Sequence, residues 1–489
     1  MARLYIRKVC ACGVEFVDLP AVMNVASLCS GSGTGELTLN AAVQELSDHF
    51  LLPATVKVVM ACEREGWKQQ HLAHHIVPSS CCIYDDVMTL GSAAAHFKQK
   101  DDSKGSKGNA KDDSIKAPFC VHHRAECNPM DKEIFMLKSG FSCKGNSRMN
   151  SRFAEFRESM KMGDFSNSSV STFYGTLGMI EWSKPKVFVL ENVDSAGGES
   201  QQDSNLARVM EELRTVDNGM YEAHVYHLAT SDYILPQNRI YIVGYRLDGF
   251  VTNKPPEDFF EEIGYLLEAM KTPTLPVQSL LLADDDPDLQ AELHRREAFR
   301  KDAEKKAETD MKWVGSHMDA CEARGLPWPP HVPQHLKNNR WLAAAPQREQ
   351  EIINITALDS DVVWVDASQN MSRVRGSKNQ NAPTILPNCH LFHYPTGRFL
   401  VGSDLMRLQG FPSSILHGGT HTQAQLSDLA GNMFSSSVSL AVDIAVLCAI
   451  ECEQMNGDAA MDTTTQLCRL LHMCGDSLEM TDDADEFVL

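Results

Sequence analysis

The sequence predicts an α/β fold: a doubly wound, mostly parallel sheet, accompanied by a second, smaller domain. Three observations indicate this. Short apolar segments alternate with helical segments through the first half of the chain, which is the pattern of a sheet covered by helices. A glycine-rich turn, Gly31 to Gly35, lies between the first apolar segment and the first helical one. At 489 residues the chain is also long for one core, so two domains are expected.

The elements follow from local patterns in chain order. Mostly apolar runs of strand length predict strands at 22–28, 56–61, 82–84, 133–137, 187–193, 221–228 and 239–245. Helical spacing predicts helices from the glycine turn to Leu46 and over 173–182, 205–216 and 438–450. A segment rich in Lys, Asp, Gly and Ser, at about 91–118, predicts a disordered insertion. After Asp248 the composition changes, and proline-rich segments lie on either side of a charged helical stretch at 289–322.

Cys143 is the residue that says most about function. It follows the apolar run 133–137 on a turn flanked by Gly140 and Gly145. We therefore expect its thiol to be presented at the carboxyl edge of the sheet, where open α/β proteins carry out their chemistry. Glu191 ends another buried run at the same edge. The pattern predicts a thiol nucleophile with a carboxylate partner on a neighbouring strand.

The glycine turn is typical of a nucleotide-binding loop, although a lone Gly-x-Gly-x-Gly is weak evidence. Glu63 ends the second strand, where an acid commonly accepts hydrogen bonds from ribose hydroxyls. Asp86 follows the third strand and could bind an adenine amino group. Adenosine without pyrophosphate fits this pattern as well as a dinucleotide does. The alternative is that Glu63 and Asp86 are ordinary loop carboxylates.

Net charge −20 opposes a nucleic-acid partner, because phosphate contacts need Lys and Arg. The acid is unevenly spread, however: the segment 453–489 is strongly acidic, with Arg469 its only basic residue, and is predicted to be a flexible tail. Basic residues follow Cys143 closely: Lys144, Arg148 and Arg152, then Arg157 and Lys161. They form either an exposed basic helix or a phosphate-binding loop, and their position beside Cys143 favours the loop. Arg373 and Arg375, on the polar segment 372–381, are candidates for base contacts in the major groove.

Cysteine usage predicts the compartment and raises the question of a metal. Fifteen scattered cysteines indicate free thiols in a reducing, intracellular compartment, which is the nucleus if the source is eukaryotic. No apolar run is long enough to cross a bilayer, so no membrane partner is expected. Cys120, His122 and His123, followed by Cys127, could in principle bind zinc, but their spacing matches no structural zinc pattern well. We predict unligated loop residues there and no metal site.

The chain resembles the C5-cytosine methyltransferases, the DNA methyltransferases of the AdoMet-dependent class I fold. The matching segments, in family order, are 27–35, Glu63, Asp86-Val87, the nucleophile loop 140–147, Glu191-Asn192-Val193, 235–244, 398–412, and Gly431-Asn432 with Val438. The sequence departs from the family at several of them. Ser142 stands where the family has proline, Cys29 where it usually has phenylalanine, and Asp404 where it usually has glutamate. The second arginine after Arg239 is missing.

The resemblance implies a function and its residues. S-adenosyl-L-methionine would be the cofactor and DNA the partner, with Cys143 attacking C6 of cytosine, Glu191 binding N3 and the exocyclic amine, and Arg239 favouring the thiolate. The implied cofactor-binding residues are Ser30, Gly31, Gly33, Gly35, Glu63, Asp86 and Asn432. An RNA cytosine-5 methyltransferase of the same fold remains an alternative. So does a catalytically weak regulator that binds a partner. The oligomeric state is left open.

The resemblance also divides the chain. Residues 1–247 would form the AdoMet-binding catalytic domain and 248–428 the target-recognition domain. Residues 429–452 would supply a closing helix of the catalytic domain, ahead of the acidic tail.

Overall fold

The computed structural model describes residues 1–90, 118–128, 132–143, 167–193, 205–233, 238–249, 251–304, 312–359, 361–374, 376–378, 382–416 and 421–451. The chain divides into two compact units. Unit 1 comprises Met1–Tyr233, Asn238–Thr272 and Phe434–Leu489, and unit 2 comprises Ile234–Gln237 and Pro273–Met433. The predicted insertion, apart from Pro118, and the predicted acidic tail lie outside the described residues.

Unit 1 is built on a seven-stranded sheet. Its strands are β1 Val22–Leu28, β2 Thr55–Cys62, β3 Cys82–Tyr84, β4 Met136–Ser139, β5 Val187–Val193, β6 Tyr221–Ala229 and β7 Asn238–Arg246. They lie in the order β3-β2-β1-β4-β5-β7-β6. Strand β7 is antiparallel to both of its neighbours, and the other adjacent pairs are parallel. The predicted doubly wound, mostly parallel sheet is confirmed, and its strand order reverses between β1 and β4.

Helices cover both faces of this sheet. Those of unit 1 are α1 Ala2–Ala11, α2 Thr34–Phe50, α3 Gly66–His71, α4 Ser168–Ser183, α5 Asn205–Gly219 and α6 Pro256–Met270, with a last helix at Ser436–Ala449. Alternate residues of a strand point to opposite faces. Val189 accordingly packs into the core that contains α1, α2, α6 and the last helix. Leu190 packs into the core that contains α4 and α5.

The boundary between the units differs from the predicted one. Unit 1 runs to Thr272, beyond the predicted end at 247, because helix α6 buries Phe259, Ile263 and Leu266 in the core of the sheet. It resumes at Phe434, after the predicted start at 429.

Unit 2 contains short helices and a small antiparallel sheet. The helices are α7 Val277–Leu280, α8 Pro287–Glu304, α9 Val314–Glu322, α10 Arg340–Ala344, α11 Gln347–Thr356, α12 Gly402–Leu408, α13 Ser413–Leu416 and α14 Gln423–Asn432; the last helix of unit 1 is then α15. The strands are β8 Trp364–Asp366, β9 Leu391–His393 and β10 Arg398–Phe399. The predicted helical stretch 289–322 thus corresponds to two helices: α8, which begins two residues earlier, at Pro287, and α9, which ends at Glu322.

A buried ion pair joins β4, the start of α2 and α15 in unit 1. The ammonium of Lys138, on β4, lies 2.7 Å from both carboxylate oxygens of Asp443, on α15. The side chains are 2% and 0% exposed. Lys138 Nζ also donates to the carbonyl oxygen of Gly35 at 2.9 Å, at the start of α2. Burial raises the pKa of Asp443, which the charge of Lys138 opposes. One ammonium therefore joins a strand, the glycine turn and the last helix.

No single helix among the described residues has the length and apolar character needed to cross a bilayer. Two consecutive helices, Gln423–Asn432 and Ser436–Ala449, reach that length and composition only when taken together.

Removing Lys138 should destabilise unit 1 strongly. We expect Lys138→Met to lower the free energy of unfolding by about 3–5 kcal/mol, because it leaves the charge of Asp443 buried without a partner. The double variant Lys138→Met/Asp443→Leu should recover most of that loss, since neither charge then remains. Urea denaturation followed by circular dichroism measures both.

The matched control is Lys186→Met. Lys186 pairs with Glu133 at 3.3 Å, but the side chains are 30% and 73% exposed, so its loss should cost less than about 1 kcal/mol. Equal losses for Lys138→Met and Lys186→Met would contradict the assignment.

Candidate active site

The carboxyl ends of β1, β4 and β5 lie side by side. Leu28 is the register partner of Ser139, and Ser139 is the register partner of Leu190. Beyond these three positions the chain continues at the same edge as the glycine turn after β1, as the loop to Cys143 after β4, and as the last residues of β5, which begin with Glu191 and still pair with β7. The structure thus brings together at one edge the segments that carry the predicted nucleophile, its carboxylate partner and the cofactor loop. Cys143 itself is half-buried.

Asn192 joins the nucleophile loop to the strand that carries Glu191. Its side-chain amide donates to the carbonyl oxygen of Phe141 at 3.0 Å, and Asn192 is only 1% exposed. Because Asn192 adjoins Glu191 and Phe141 lies two residues before Cys143, this bond fixes the nucleophile loop against the strand that carries Glu191. Asn192 was part of the motif match, but no local pattern predicted its contact.

The turn before Cys143 is held by α4. The N–H of Ser142, which the family's proline would lack, donates to Thr172 Oγ1 at 2.9 Å. Thr172 in turn donates to the carbonyl oxygen of Ser168 at 2.6 Å. Phe141 is buried against Phe173, with ring centroids 5.3 Å apart. The extra donor at Ser142 is therefore satisfied, and the loop keeps a defined anchor without proline.

Gly140 is required by a close approach. A Cβ on this residue would lie 2.4 Å from the ring of Phe434, so any side chain would displace the aromatic ring or the loop. The glycine therefore lets the nucleophile loop pack directly against Phe434, the residue at which unit 1 resumes.

Replacing Thr172 should loosen the nucleophile loop. Thr172→Val has nearly the same shape but leaves the Ser142 N–H without its acceptor, a loss of about 1 kcal/mol. We expect kcat for methyl transfer to fall about five-fold while the Kd for AdoMet is unchanged. Single-turnover kinetics and calorimetry measure these.

The control combines Thr172→Val with Ser142→Pro, which removes the donor together with its acceptor. The double variant should be more active than Thr172→Val alone. If both have the same activity, the hydrogen bond does not position the loop.

Glu191 and Arg239 form a pair on one face of the sheet. Glu191 is the register partner of Tyr241, so Arg239, two residues away on β7, projects from the same face. Arg239 Nε lies 2.8 Å from Glu191 Oε1, and the side chains are 12% and 13% exposed. Burial raises the pKa of Glu191 to about 7, although the charge of Arg239 acts against this. Arg239 thus orients the carboxyl group; its predicted effect on the Cys143 thiol stays a prediction.

The raised pKa of Glu191 predicts a pH-dependent stability. Between pH 4.5 and about 7 the folded protein holds a proton on Glu191 that the unfolded chain has released. The free energy of unfolding should therefore decline as pH rises through this window, by on the order of 3 kcal/mol. Urea denaturation of the wild type and of Glu191→Gln at several pH values isolates this contribution, which the variant should lack.

Glu133→Gln is the control, because its side chain is 73% exposed and its loss should leave the pH profile nearly unchanged. A Glu191→Gln profile parallel to that of the wild type would show that Glu191 titrates normally.

The glycine turn and Glu63 are joined directly. The N–H of Gly31 donates to Glu63 Oε2 at 2.9 Å, and the N–H of Glu65 donates to Glu63 Oε1 at 3.0 Å. Ser30 donates its N–H to the carbonyl oxygen of Cys62 and its hydroxyl to Ser27. Gly33, with φ +77°, precedes α2, and a Cβ there would lie 2.4 Å from Ile76. At Gly31 a Cβ would meet nothing nearer than 3.9 Å, so this part of the turn is open to a ligand.

Asp86 lies in the same electrostatic environment as Glu63. Burial, together with the charges of Glu63 and Asp86, raises the pKa of the Cys29 thiol to about 12. Asp86 Oδ1 accepts the N–H of Met88 at 2.9 Å. Two carboxylates beside the glycine turn form an acceptor set that fits the ribose hydroxyls and the adenine amino group of AdoMet, and their charge complements its positive charge.

The remaining predicted residues divide between the units. Gly35 lies in the first turn of α2 and offers its carbonyl oxygen to Lys138. In unit 2, Arg373 is exposed, and Asn432 ends α14 with its amide donated to Asp428. The predicted DNA-binding residues Lys144, Arg148, Arg152 and Arg375 lie outside the described residues.

The family model described as C-5 cytosine-specific DNA methylase matches residues 120–449, more than half of the chain. The chain belongs to this family. The matched range includes Cys143, Glu191 and Arg239 but begins after the glycine turn, Glu63 and Asp86. The family resemblance read from the sequence motifs is confirmed.

Two curated relatives and one solved structure are similar to the chain. DNA (cytosine-5-)-methyltransferase DMT5 of Cryptococcus neoformans var. grubii is 25% identical over 458 residues, covering 87% of this chain. The protein of the same name from Verticillium dahliae is 24% identical over 128 residues, covering 24% of this chain. The chain spans only 17% and 5% of these relatives' lengths. The S. pombe Dnmt2 methyltransferase structure is 13% identical, with coverage of 87% and 98% and a TM-score of 0.39.

One family departure in unit 2 is absorbed by its surroundings. Asp404, in place of the family's glutamate, accepts both Nη atoms of Arg398, at 2.6 and 3.2 Å, and the N–H groups of Leu282 and Val401. Arg398 is 2% exposed and Asp404 is 0% exposed. Both carboxylate oxygens of the shorter side chain are therefore hydrogen-bonded within a buried ion pair.

Proposed function

We propose that this methylase-family protein transfers a methyl group from AdoMet to C5 of cytosine in DNA, through a covalent adduct with Cys143. One observation carries the proposal: the loop to Cys143 begins at the edge of the sheet where the next strand carries Glu191, and the hydrogen bond from Asn192 to Phe141 joins that loop to that strand. A thiol and a carboxyl group arranged in this way can act on one pyrimidine ring.

The chemistry assigns a role to each side chain. C5 of cytosine is a weak nucleophile, so the Cys143 thiolate first forms a bond to C6, which moves electron density to C5. Glu191, with a pKa of about 7, is partly protonated at neutral pH and can donate a hydrogen bond to N3 as that density develops. Arg239 holds the carboxyl group in place. Once C5 carries the new methyl group, loss of the C5 proton to a base returns the electron pair to the C5–C6 bond and releases the thiolate from C6.

AdoMet supplies an electrophilic methyl group. Glu63 and Asp86 are the residues of this chain that would hold its ribose and adenine, and Ser30, Gly31, Gly33, Gly35 and Asn432 complete the proposed set.

The substrate must reach this edge as an extrahelical base, since C6 is inaccessible to a thiol inside a duplex; unstacking costs a few kcal/mol. We assign phosphate contacts to Lys144, Arg148 and Arg152, and base contacts to Arg373 and Arg375. A DNA substrate implies an intracellular site of action, which is nuclear in a eukaryote.

The test is methyl transfer from radiolabelled AdoMet to duplex DNA and, in parallel, to transfer RNA. We expect transfer to DNA by the wild type, and at least a 1000-fold loss for Cys143→Ser because the hydroxyl is a far poorer nucleophile. The matched control is Cys12→Ser, a half-buried cysteine beyond α1, which should keep full activity. DNA carrying 5-fluorocytosine should trap a covalent complex with the wild type only, since fluorine blocks loss at C5.

Other outcomes distinguish the alternatives. Transfer to transfer RNA in preference to DNA would show an RNA enzyme of the same fold. A protein that folds but binds no AdoMet in calorimetry would be a regulator that keeps the fold. Full activity of Cys143→Ser would remove Cys143 from the mechanism.

A further inference from the structure

Four metal-ligating side chains converge at the edge of the sheet, away from the proposed chemistry. They are Cys82 on β3, and Cys120, His123 and Cys127 on the short segment 118–128. One ligand atom from each lies within 4.8 Å of all the others. The sequence could not supply this set, because Cys82 is far from the other three along the chain. We predicted no metal site because the spacing from Cys120 to Cys127 alone matches no structural zinc pattern.

The distances match a tetrahedral ion. His123 Nδ1 lies 3.6 Å from the sulfur of Cys82, 3.5 Å from that of Cys120 and 3.5 Å from that of Cys127. An ion bound tetrahedrally to sulfur at about 2.3 Å and to nitrogen at about 2.1 Å separates those two atoms by about 3.6 Å. Three sulfurs therefore surround the nitrogen at the spacing that a shared zinc ion imposes.

Hydrogen bonding alone does not explain the cluster. His123 Nε2 lies 3.0 Å from the carbonyl oxygen of Ser79, which can only accept, so Nε2 carries the ring proton. Nδ1 then has a single lone pair, which can accept from one thiol and not from three. A backbone carbonyl that fixes the tautomer of a ligating histidine is the usual second partner in metal sites.

The backbone around Cys120 is arranged to receive a thiolate. The N–H groups of Ile83 and His123 point at its sulfur, at 3.3 and 3.4 Å. Cys120 is fully buried. A buried thiolate requires hydrogen-bond donors such as these two N–H groups, whereas a neutral thiol does not. Neighbouring Cys81 is also buried, but its sulfur contacts the carbonyl oxygen of Cys82 and takes no part in the cluster.

We propose that Cys82, Cys120, His123 and Cys127 bind one structural zinc ion. Three thiolates and one neutral imidazole form a closed tetrahedral set that favours zinc, with no position left for a substrate. Binding releases the thiol protons to water. The ion clamps the two-stranded ribbon of Phe119–Cys120 and Ala125–Glu126 onto β3, where the N–H of Val121 already donates to the carbonyl oxygen of Ile83 at 2.8 Å. It thereby covers the edge strand of the sheet.

The test needs no methyl transfer, so it stands apart from the proposed function. The full chain, purified under reducing conditions without chelator, is analysed for metal by mass spectrometry. We expect about one zinc per chain in the wild type and in Cys81→Ser, the neighbouring-cysteine control. We expect less than a tenth of that in Cys120→Ser and in Cys127→Ser.

A second readout covers variants that fail to fold. Wild-type protein stripped with chelator and titrated with Co²⁺ should give thiolate-to-cobalt charge-transfer bands and the intense visible bands of a tetrahedral ion, both displaced by Zn²⁺. Folded, reduced wild-type protein that retains no zinc and gives no cobalt spectrum would overturn the proposal. So would zinc contents in Cys120→Ser and Cys127→Ser equal to that of Cys81→Ser.

Discussion

The buried ion pair of Lys138 and Asp443 is the contact on which the arrangement of unit 1 depends. The two residues are separated by 305 positions in the chain, yet the ammonium lies against both carboxylate oxygens and against the carbonyl of Gly35. A charge in the interior is tolerated only with a partner, so neither side chain can move without the other. The ion pair therefore fixes three elements relative to one another: β4, which ends at the nucleophile loop, α2, which follows the glycine turn, and α15.

The pairing of the parallel strands places the proposed reactive groups at one edge of the sheet. The parallel neighbours β1 and β4 end level with each other, and β5 continues past that level with Glu191, so the loops after β1 and β4 begin beside Glu191. Asn192 then converts proximity into a fixed relation between the Cys143 loop and Glu191. The same burial that orders the pair of Glu191 and Arg239 also keeps a proton available on the carboxyl group near neutral pH. Burial thus accounts for both the fixed position and the raised pKa of the Glu191 carboxyl group.

The departures from the family pattern show how neighbouring side chains compensate. Ser142 introduces an N–H that proline would lack, and Thr172 accepts it. Asp404 is shorter than glutamate, and Arg398 still reaches both of its oxygens. In each case the substituted group ends fully hydrogen-bonded, which is what a buried polar group requires. Such substitutions alter the local contacts without removing the thiol or the carboxyl group.

Local pattern alone determined the fold class, the strands that end at the active edge, and the places of Cys143 and Glu191 on them. Apolar periodicity and glycine turns act over a few residues, and parallel strands must end at a common edge. Only the tertiary structure decided which distant groups meet: the partner of Lys138, the raised pKa of Glu191, and the entry of Cys82 into the metal-ligand cluster. Burial and pairing depend on residues far apart in the chain, whose contacts no local spacing records.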